Sequence, residues 1–496
     1  MTMNAEELIE QNPWWREPDA SDTDPIIEAY EASKVRWEPI LSASMDLGKD
    51  RIYTLRGPRQ VGKTTLLKLK VKELLRAGAA PLSVLYVSCD MVVDGKDLKE
   101  TLDAYFELSR GLPRGARRVI LVDEVSSVIG WERAVKHFAD LGTLRGCTLV
   151  LTGSHSMDLK RSAERLPGRR GEGASPLDLK LHPMRFSEYV ATIDPKLWAE
   201  AKAMLQPAEG GVRGILLRLL SGTIDGLLKG EFRLLSTELR RHLDGYLVTG
   251  GMVRAVRERA STDTVAPGTY DVFMRSMVGD LSRWRMQERI TKQTLSEVVG
   301  GMTTRVSLSA MARRTELGSH NTASRYLEAL EDSFVLRTVY QLDLAKGRPR
   351  YMRERKVYFQ DPFIYHAARG WVRGAPDPFR LSMGAMTDPV ERGRVVEMVV
   401  GEHLARLVSD LRPGDFITHH ESLFHWRKTG SDREVDFVIR LEDGLRPVEV
   451  KYQQHISGSD LAGLRSFRGG VLVSKDVLEE RNGHAIVPAH MFLALF

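Results

Sequence analysis

The sequence predicts an α/β multidomain fold on three observations. A β-rich strand, a glycine-containing loop and an amphipathic helix follow one another over residues 51–78. Short apolar runs then end in polar residues near positions 90, 123 and 155, as parallel strands do when helices cover both faces of their sheet. Toward the carboxyl end, REVDFVIRLEDGLRPVEVKY has the alternation and the Asp-Gly pair of a β-hairpin.

Bulk composition is that of a soluble globular protein. Of the 496 residues, 42% are hydrophobic and 28% are charged, and the length predicts several domains. No apolar run reaches the roughly 18 residues that span a bilayer, and the acidic amino terminus differs from an export signal, so we expect a cytoplasmic protein without membrane contact. Cys89 and Cys147 are too few for a disulfide framework or a cysteine-rich metal site.

The first strand is RIYTLR (51–56), and the helix after the loop begins near Thr64. Glycines in such a loop turn successive backbone N–H groups toward phosphates, the helix amino terminus adds positive potential, and a lysine reaches the β and γ phosphates. A threonine hydroxyl then binds Mg²⁺. The sequence therefore predicts an ATP site formed by Gly57, Pro58, Arg59, Gln60, Val61, Gly62, Lys63, Thr64 and Thr65.

A buried apolar run, Val119 to Val122, ends at Asp123 and Glu124. The carboxyl ends of parallel strands border the crevice in which such sheets bind ligands. We expect Asp123, with Thr64, to hold Mg²⁺, and Glu124 to orient and deprotonate the attacking water.

The strand CTLVLTGSH ends in polar residues at the same edge of the sheet. We predict Ser154 as the residue that senses the γ phosphate. Thr152 and His155 are alternatives, and simple strand termination is another. In the basic loop that follows, Arg169 or Arg170 is either an arginine finger that reaches a neighbouring subunit or part of an exposed loop.

Residues 187–260 are leucine-rich and helical, as in a lid beside a nucleotide domain. From Leu308 the pattern becomes helix, turn at Gly318, helix and strand, which predicts a winged helix-turn-helix. The stretch from 301 to 375 carries 13 Arg and Lys against 7 Asp and Glu. This surplus is either a solvated face or a phosphate-binding surface, and the module either reads DNA or only packs. The candidate DNA-facing residues are Ser319, His320, Asn321, Ser324 and Arg325.

With a turn at Asp443-Gly444, the hairpin places Asp436 opposite Lys451, and Val438 opposite Glu449. Alternation then sets the three charged residues on one face, with Val435, Phe437, Val448 and Val450 on the other. Two carboxylates and a lysine can hold Mg²⁺ and cleave a phosphodiester, with Glu397 from a preceding helix completing the site. An exposed amphipathic hairpin is the alternative.

GPRQVGKTT, VILVDEVSSVIGW and LTGSHSMDL resemble the AAA-type ATPases of archaea and bacteria. YLVTGGMVRAV, FQDPFIYHA and EVDFVIR with VEVKY resemble the DUF4143 domain that is joined to those ATPases, and this domain is similar to the PD-(D/E)xK nuclease superfamily, which includes archaeal Holliday-junction resolvases. The resemblance implies Asp436 and Glu449 as metal ligands, Lys451 as the catalytic lysine and Glu397 as the helical acid. The predicted domains are an N-terminal helical segment (1–50), a P-loop AAA-type ATPase domain (51–195), a helical lid (196–285), a winged helix-turn-helix (286–345) and a PD-(D/E)xK nuclease-like α/β domain (346–496).

The function expected from these features is ATP hydrolysis with Mg²⁺, coupled to movement on DNA, including branched DNA such as Holliday junctions. The AAA resemblance implies a ring-forming homo-oligomer, with a hexamer favoured. Two alternatives stay open: a nucleotide-switched regulatory or scaffold protein that binds DNA or a partner without cutting it, and an ATP-gated defence nuclease.

Overall fold

The computed structural model describes residues 3, 5–113, 115–153, 159, 166, 170–171, 176–411, 419–431 and 433–496. The chain divides into two compact units, Met1–His182 and Pro183–Phe496. Within the described residues, no helix is long and apolar enough to cross a membrane.

The first unit contains a parallel five-stranded sheet. Its strands have the spatial order β2-β3-β4-β1-β5, so β4 lies between the strand that precedes the glycine-containing loop and the strand that carries Asp123. A buried apolar core, including Leu102, Ile120 and Trp131, joins the sheet to its helices. The strands are β1 (Arg51–Arg56), β2 (Val84–Ser88), β3 (Arg118–Asp123), β4 (Cys147–Gly153) and β5 (Asp178–Lys180), and the helices are α1 (Ala5–Gln11), α2 (Pro25–Glu31), α3 (Lys63–Arg76), α4 (Gly95–Leu108) and α5 (Trp131–Asp140).

The second unit begins with helices and continues into a mixed sheet. The helices that precede the sheet are α6 (Phe186–Ile193), α7 (Pro195–Leu205), α8 (Gly211–Leu220), α9 (Gly226–Lys229), α10 (Ser236–Thr249), α11 (Val253–Thr262), α12 (Pro267–Arg283) and α13 (Glu288–Gly301). The later helices are α14 (Leu308–Arg314), α15 (His320–Asp332), α16 (Pro362–Arg373), α17 (Pro378–Thr387), α18 (Pro389–Leu411) and α19 (Ala489–Leu493).

The ten strands of this unit belong to one sheet of order β14-β15-β13-β12-β11-β10-β7-β9-β6, with β8 paired to β7. Strand β7, which follows the predicted helix-turn-helix, pairs in parallel with β10 of the predicted nuclease-like region. The boundary that the sequence suggests after residue 345 therefore runs through a continuous sheet. The strands are β6 (Arg305–Val306), β7 (Leu336–Asp343), β8 (Arg348–Pro349), β9 (Arg355–Phe359), β10 (Leu423–Arg427), β11 (Glu434–Leu441), β12 (Gly444–Lys451), β13 (Val471–Ser474), β14 (Glu479–Arg481) and β15 (His484–Pro488).

The hairpin β11–β12 forms, but its predicted register is wrong. Leu441 pairs with Gly444, and Val438 pairs with Pro447 rather than with Glu449. The turn consists of Glu442 and Asp443, because Gly444 adopts its positive φ of 131° as the first residue of β12 instead of inside the turn. Each residue of β11 consequently lies opposite a residue two positions earlier than predicted.

Strand β11 is also bulged where the charged residues lie. Val438 pairs with Phe424 of β10, whereas Val435 pairs with Trp426, so three steps along β11 match two along β10. The bulge interrupts the alternation that the sequence assumes. Phe437, predicted on the face away from the charged residues, instead has its ring 5.3 Å from the ring of Tyr358 and lies against Gly401 of α18.

Candidate functional site

The loop between β1 and α3 has the backbone of a phosphate cradle. Gln60 and Gly62 have positive φ angles of 63° and 107°. Helix α3 starts with no side-chain cap, which leaves its first N–H groups available to an anion. Lys63 donates hydrogen bonds to the carbonyl oxygens of Gly57 and Pro58 at 3.0 and 3.1 Å, so its ammonium lies within the loop. A Cβ at position 57 would come within 2.3 Å of the Leu181 carbonyl oxygen, so only glycine fits there.

Asp123 connects three elements of the same unit. Its Oδ2 accepts from the Thr64 hydroxyl at 2.7 Å and from the Tyr86 hydroxyl at 3.1 Å, and its Oδ1 accepts from the Thr152 hydroxyl. Only 2% of Asp123 is exposed. The adjacent hydroxyl and carboxylate oxygens are the hard ligands that Mg²⁺ prefers, so Thr64 and Asp123 fit that ion. Tyr86 was absent from the sequence prediction because a tyrosine inside a buried strand carries no local signal of this role.

Glu124 follows in a left-handed conformation with φ of 53°. Its N–H points at Thr152 Oγ1 and at Asp123 Oδ1, both 3.2 Å away, and the residue is half-buried. A non-glycine residue in this region costs about 1 kcal/mol or more, and such residues concentrate at active sites. Asp123 and Thr152, which bond to each other, therefore also fix the backbone that carries Glu124.

The remaining predicted ATPase residues have different outcomes. Ser154 and Arg169 lie outside the described residues. Arg170 forms an ion pair with Asp178 at 2.8 Å and donates to the carbonyl oxygens of Ile52 and Leu177. Arg170 thus joins β1 to β5 within its own sheet and does not extend from it.

The predicted nuclease-like residues come together around the bulge in β11. The Asp436 N–H donates to Glu449 Oε2 at 3.1 Å, and the Val450 N–H donates to Asp436 Oδ2 at 3.0 Å. Lys451 pairs with Glu449 at 2.6 Å. Side-chain carboxylates therefore accept hydrogen bonds from the backbone of this hairpin. Glu397, on α18, joins the group through a residue that the sequence analysis missed.

That residue is Lys356 of β9, whose side chain is 1% exposed. Its Nζ lies 2.7 Å from Asp436 Oδ1, 3.1 Å from Glu434 Oε1 and 3.3 Å from Glu397 Oε1. The Tyr358 hydroxyl donates to the same Glu397 oxygen at 2.7 Å. We refer to Lys356, Glu397, Glu434, Asp436, Glu449 and Lys451 as the carboxylate cluster.

Burial and Coulomb forces oppose each other in the cluster. Burial acts to raise the pKa of Asp436, but Lys356 and then Lys451 hold that pKa below its ordinary value. Burial, with the neighbouring Asp436 charge, raises the pKa of Glu449 to about 8 and the pKa of Glu397 to about 7. Of these three carboxyl groups, the one nearest to the buried ammonium, Asp436, is the one whose pKa is lowered.

This arrangement does not fit a divalent metal between Asp436 and Glu449. One Asp436 oxygen contacts the Lys356 ammonium and the other accepts from a strand N–H. Glu449 likewise contacts Lys451 through one oxygen and a strand N–H through the other. A cation is already present where these carboxylates converge, and it is part of the chain. We therefore derive no catalytic step through Mg²⁺ at this cluster.

A basic groove of about 1150 Å³ opens elsewhere in the second unit. Helix α15, strands β7 and β9 and the segment after β10 contribute to its lining. His320, Asn321 and Ser324, predicted to face DNA, line the groove. Ser319 instead caps α15, and Arg325 donates to the Trp284 carbonyl oxygen at 3.3 Å.

The charged residues in the groove lining are predominantly cationic. One glutamate, Glu354, accompanies six cationic side chains. Tyr351 and Met352 add exposed apolar surface. The cationic lining residues are Arg305, Arg350, Arg353, Arg355, Arg427 and Lys428.

Comparison with protein families assigns three regions of the chain. Residues 49–190 match the family model described as an AAA domain. Residues 392–492 match a domain of unknown function, DUF4143, and residues 240–374 match another, DUF8612. The predicted AAA and DUF4143 assignments are confirmed, as is the α/β multidomain fold with a parallel P-loop sheet. No match was found among curated proteins.

Solved structures of P-loop proteins are distantly similar. The Walker-type ATPase PABY2304 of Pyrococcus abyssi is 13% identical, with 74% of this chain and 98% of that chain covered and a TM-score of 0.38. Cdc6p from Pyrobaculum aerophilum is 12% identical, with coverage of 74% and 95% and a TM-score of 0.22. AMPPCP-bound DnaA from Aquifex aeolicus is 16% identical, with coverage of 66% and 91% and a TM-score of 0.21. Similarity at this level does not bear on function.

Proposed function

We propose that this chain, in which an AAA-type P-loop ATPase domain is joined to a DUF4143 domain, hydrolyses ATP and uses the energy to act on DNA held in its basic groove. The observation that carries the ATPase part is the convergence of Thr64, Tyr86 and Thr152 on the buried Asp123 carboxylate beside the Lys63 loop. The groove lining supports the DNA part, because cationic side chains neutralise phosphates without regard to sequence.

In the proposed reaction, the N–H groups of the loop and of the first turn of α3 bind the ATP phosphates. Lys63 exchanges its two carbonyl partners for phosphate oxygens. Mg²⁺, held by Thr64 and Asp123, would neutralise charge on the β and γ phosphates. Glu124 orients a water molecule and accepts its proton as the water oxygen attacks the γ phosphorus, while the bond from that phosphorus to the β,γ-bridging oxygen breaks and ADP leaves. Tyr86 and Thr152 keep Asp123 in place.

The ATPase part is tested by steady-state hydrolysis with Mg²⁺, alone and with single-stranded, duplex or four-way-junction DNA. We expect turnover that is lost in Lys63→Ala and stimulated by at least one DNA form. Retained turnover in Lys63→Ala contradicts the site, and a rate that no DNA changes contradicts the motor. A ring-forming homo-oligomer, with Arg169 as its finger, belongs to the same proposal and predicts ATP-dependent assembly by light scattering.

DNA contact at the groove is tested with Arg353→Ala and Lys428→Ala, since both side chains are exposed in its lining. Each variant should reduce the slope of log affinity against log salt by about 0.9 if it removes one phosphate contact. The matched control is Arg275→Ala, because Arg275 is exposed on α12 and is not part of the groove lining. Equal slopes in all four proteins would refute the groove as the DNA site.

A second candidate function is a nucleotide-switched scaffold that binds DNA without cutting it. The position of Lys356 among the carboxylates favours this alternative over a nuclease, because the chain's own ammonium takes the place of a metal. Labelled DNA followed in the ATPase assay should stay intact. Mg²⁺-dependent cutting that disappears in Asp436→Asn would instead establish the nuclease.

A further inference from the structure

Two histidines and a glutamate converge behind the basic groove. Glu331 lies near the end of α15, and His419 and His420 lie in a short 3-10 turn over His419–Glu421. Glu331 Oε1 is 2.7 Å from His419 Nε2 and 3.0 Å from His420 Nε2. Within the described parts of the chain, this is the one group of His, Cys, Asp or Glu whose ligand atoms are close enough together to hold a metal ion.

The surrounding structure fixes the three side chains. The Thr338 N–H donates to Glu331 Oε1 at 3.2 Å, and the Tyr340 ring packs edge-on against His420 with centroids 5.1 Å apart. The exposed side-chain fractions are 12% for Glu331, 16% for His419 and 26% for His420. The site is therefore largely formed and is open at the side of His420.

Both imidazoles approach the same carboxylate oxygen of Glu331. His420 Nε2 is hydrogen-bonded to Oε1 at 3.0 Å, and the buried His419 Nε2 approaches the same oxygen to 2.7 Å. A neutral imidazole offers a lone pair, which is the form in which histidine binds a metal.

We propose that Glu331, His419 and His420 bind one divalent transition-metal ion of the Zn²⁺ class, through the carboxylate and the two Nε2 atoms. Two imidazoles and a carboxylate are a donor set that suits Zn²⁺ and leaves a further position for water. Tetrahedral ligands about 2.1 Å from the ion lie about 3.4 Å apart. The two Nε2 atoms, which lie 2.7 and 3.0 Å from Glu331 Oε1, therefore need to move away from that oxygen by only about half an ångström. The bound ion joins the 3-10 turn to α15, whose first residues line the groove.

The test uses the tag-free full-length chain, stripped of metal and titrated with Zn²⁺ against a chromophoric chelator. We expect one Zn²⁺ per chain, with affinity reduced more than about tenfold in Glu331→Gln and in His420→Gln, since even outer partners of metal ligands contribute that much. His455→Gln is the control, because His455 is exposed and lies on another segment. Wild-type chain that binds no Zn²⁺, or variants that bind it as tightly as the control, would overturn the proposal.

A second readout separates loss of ligand from loss of fold. Zn²⁺ should raise the melting temperature of the wild type and of His455→Gln, but not that of His420→Gln, because an ion that binds only the folded state stabilises it. Far-UV circular dichroism of the metal-free proteins confirms that each variant is folded. If His420→Gln is stabilised as much as the wild type, the site is refuted.

Discussion

Replacement of Lys356 by methionine removes the central charge of the carboxylate cluster while it keeps a side chain of similar length. Lys356 Nζ has three carboxylate oxygens within 3.3 Å and the side chain is 1% exposed. Loss of one partner of a buried ion pair costs about 3–5 kcal/mol, because the remaining charge stays buried without compensation. We expect that loss for Lys356→Met in the stability of the second unit at neutral pH.

The matched control is Lys451→Met, because this lysine also pairs with a cluster carboxylate but is 37% exposed. For such a solvent-screened pair we expect about 1 kcal/mol or less. Urea-dependent hydrogen exchange of peptides from β9 and β11 measures the second unit alone. A combined Lys356→Met and Asp436→Asn variant should recover part of the loss. Equal costs for the two lysine variants would refute Lys356 as the cation that neutralises the cluster.

Three further predictions concern the ATP site, the carboxylate cluster and the packing of α18 against β11. Tyr86→Phe should raise the Mg²⁺ concentration needed for half-maximal ATPase activity about tenfold, because Asp123 loses a hydrogen bond that positions it. An unchanged Mg²⁺ requirement contradicts this prediction. Burial raises the pKa of Glu397 from 4.5 to about 7, so the folded chain binds its proton more tightly and stability falls as pH rises through that interval. Glu397→Gln should flatten this fall in stability, measured by urea titrations at pH 5 to 8. A plot of stability against pH that runs parallel to that of the wild type contradicts the prediction. Gly401→Ala places a Cβ 2.5 Å from the Phe437 ring and should lower the free energy of unfolding by about 1–3 kcal/mol. The control is Gly393→Ala on the same helix, whose Cβ meets nothing within 4 Å and which should not lower the melting temperature measured by calorimetry.

The ATP site was largely predictable because its residues are local in sequence. The loop 57–62 lies between one strand and one helix, and the chemistry of phosphate binding determines which residue types occur there. Asp123 could be added because parallel strands place their carboxyl ends at one edge. Tyr86 could not, since the closeness of its hydroxyl to Asp123 depends on the pairing of β2 with β3.

The carboxylate cluster was only partly predictable, and the missing member is its cation. Lys356 lies 80 residues before Asp436, and no pattern in β9 separates it from the other basic residues of that stretch. The predicted register of the hairpin was also wrong, because the turn consists of Glu442 and Asp443 and Gly444 is already the first residue of β12. The alternation of side chains was wrong for a second reason: at the bulge in β11, Phe437 lies against Gly401 of α18.

The bulge and the cluster depend on each other. At the bulge, the N–H of Asp436 donates to the Glu449 side chain, and the N–H of Val450 donates to the Asp436 side chain. Buried N–H groups need acceptors, so these carboxylates satisfy hydrogen bonds that an unbroken ladder would have given to carbonyl oxygens. The same residues then require Lys356 to offset their buried charge. Asp436 and Glu449, together with Lys356, thus contribute to the stability of the sheet, whether or not the domain cuts DNA. Asp436→Asn is consequently a better probe of cutting than alanine, because an amide oxygen can still accept from Val450 and a lost activity is not confused with a lost strand.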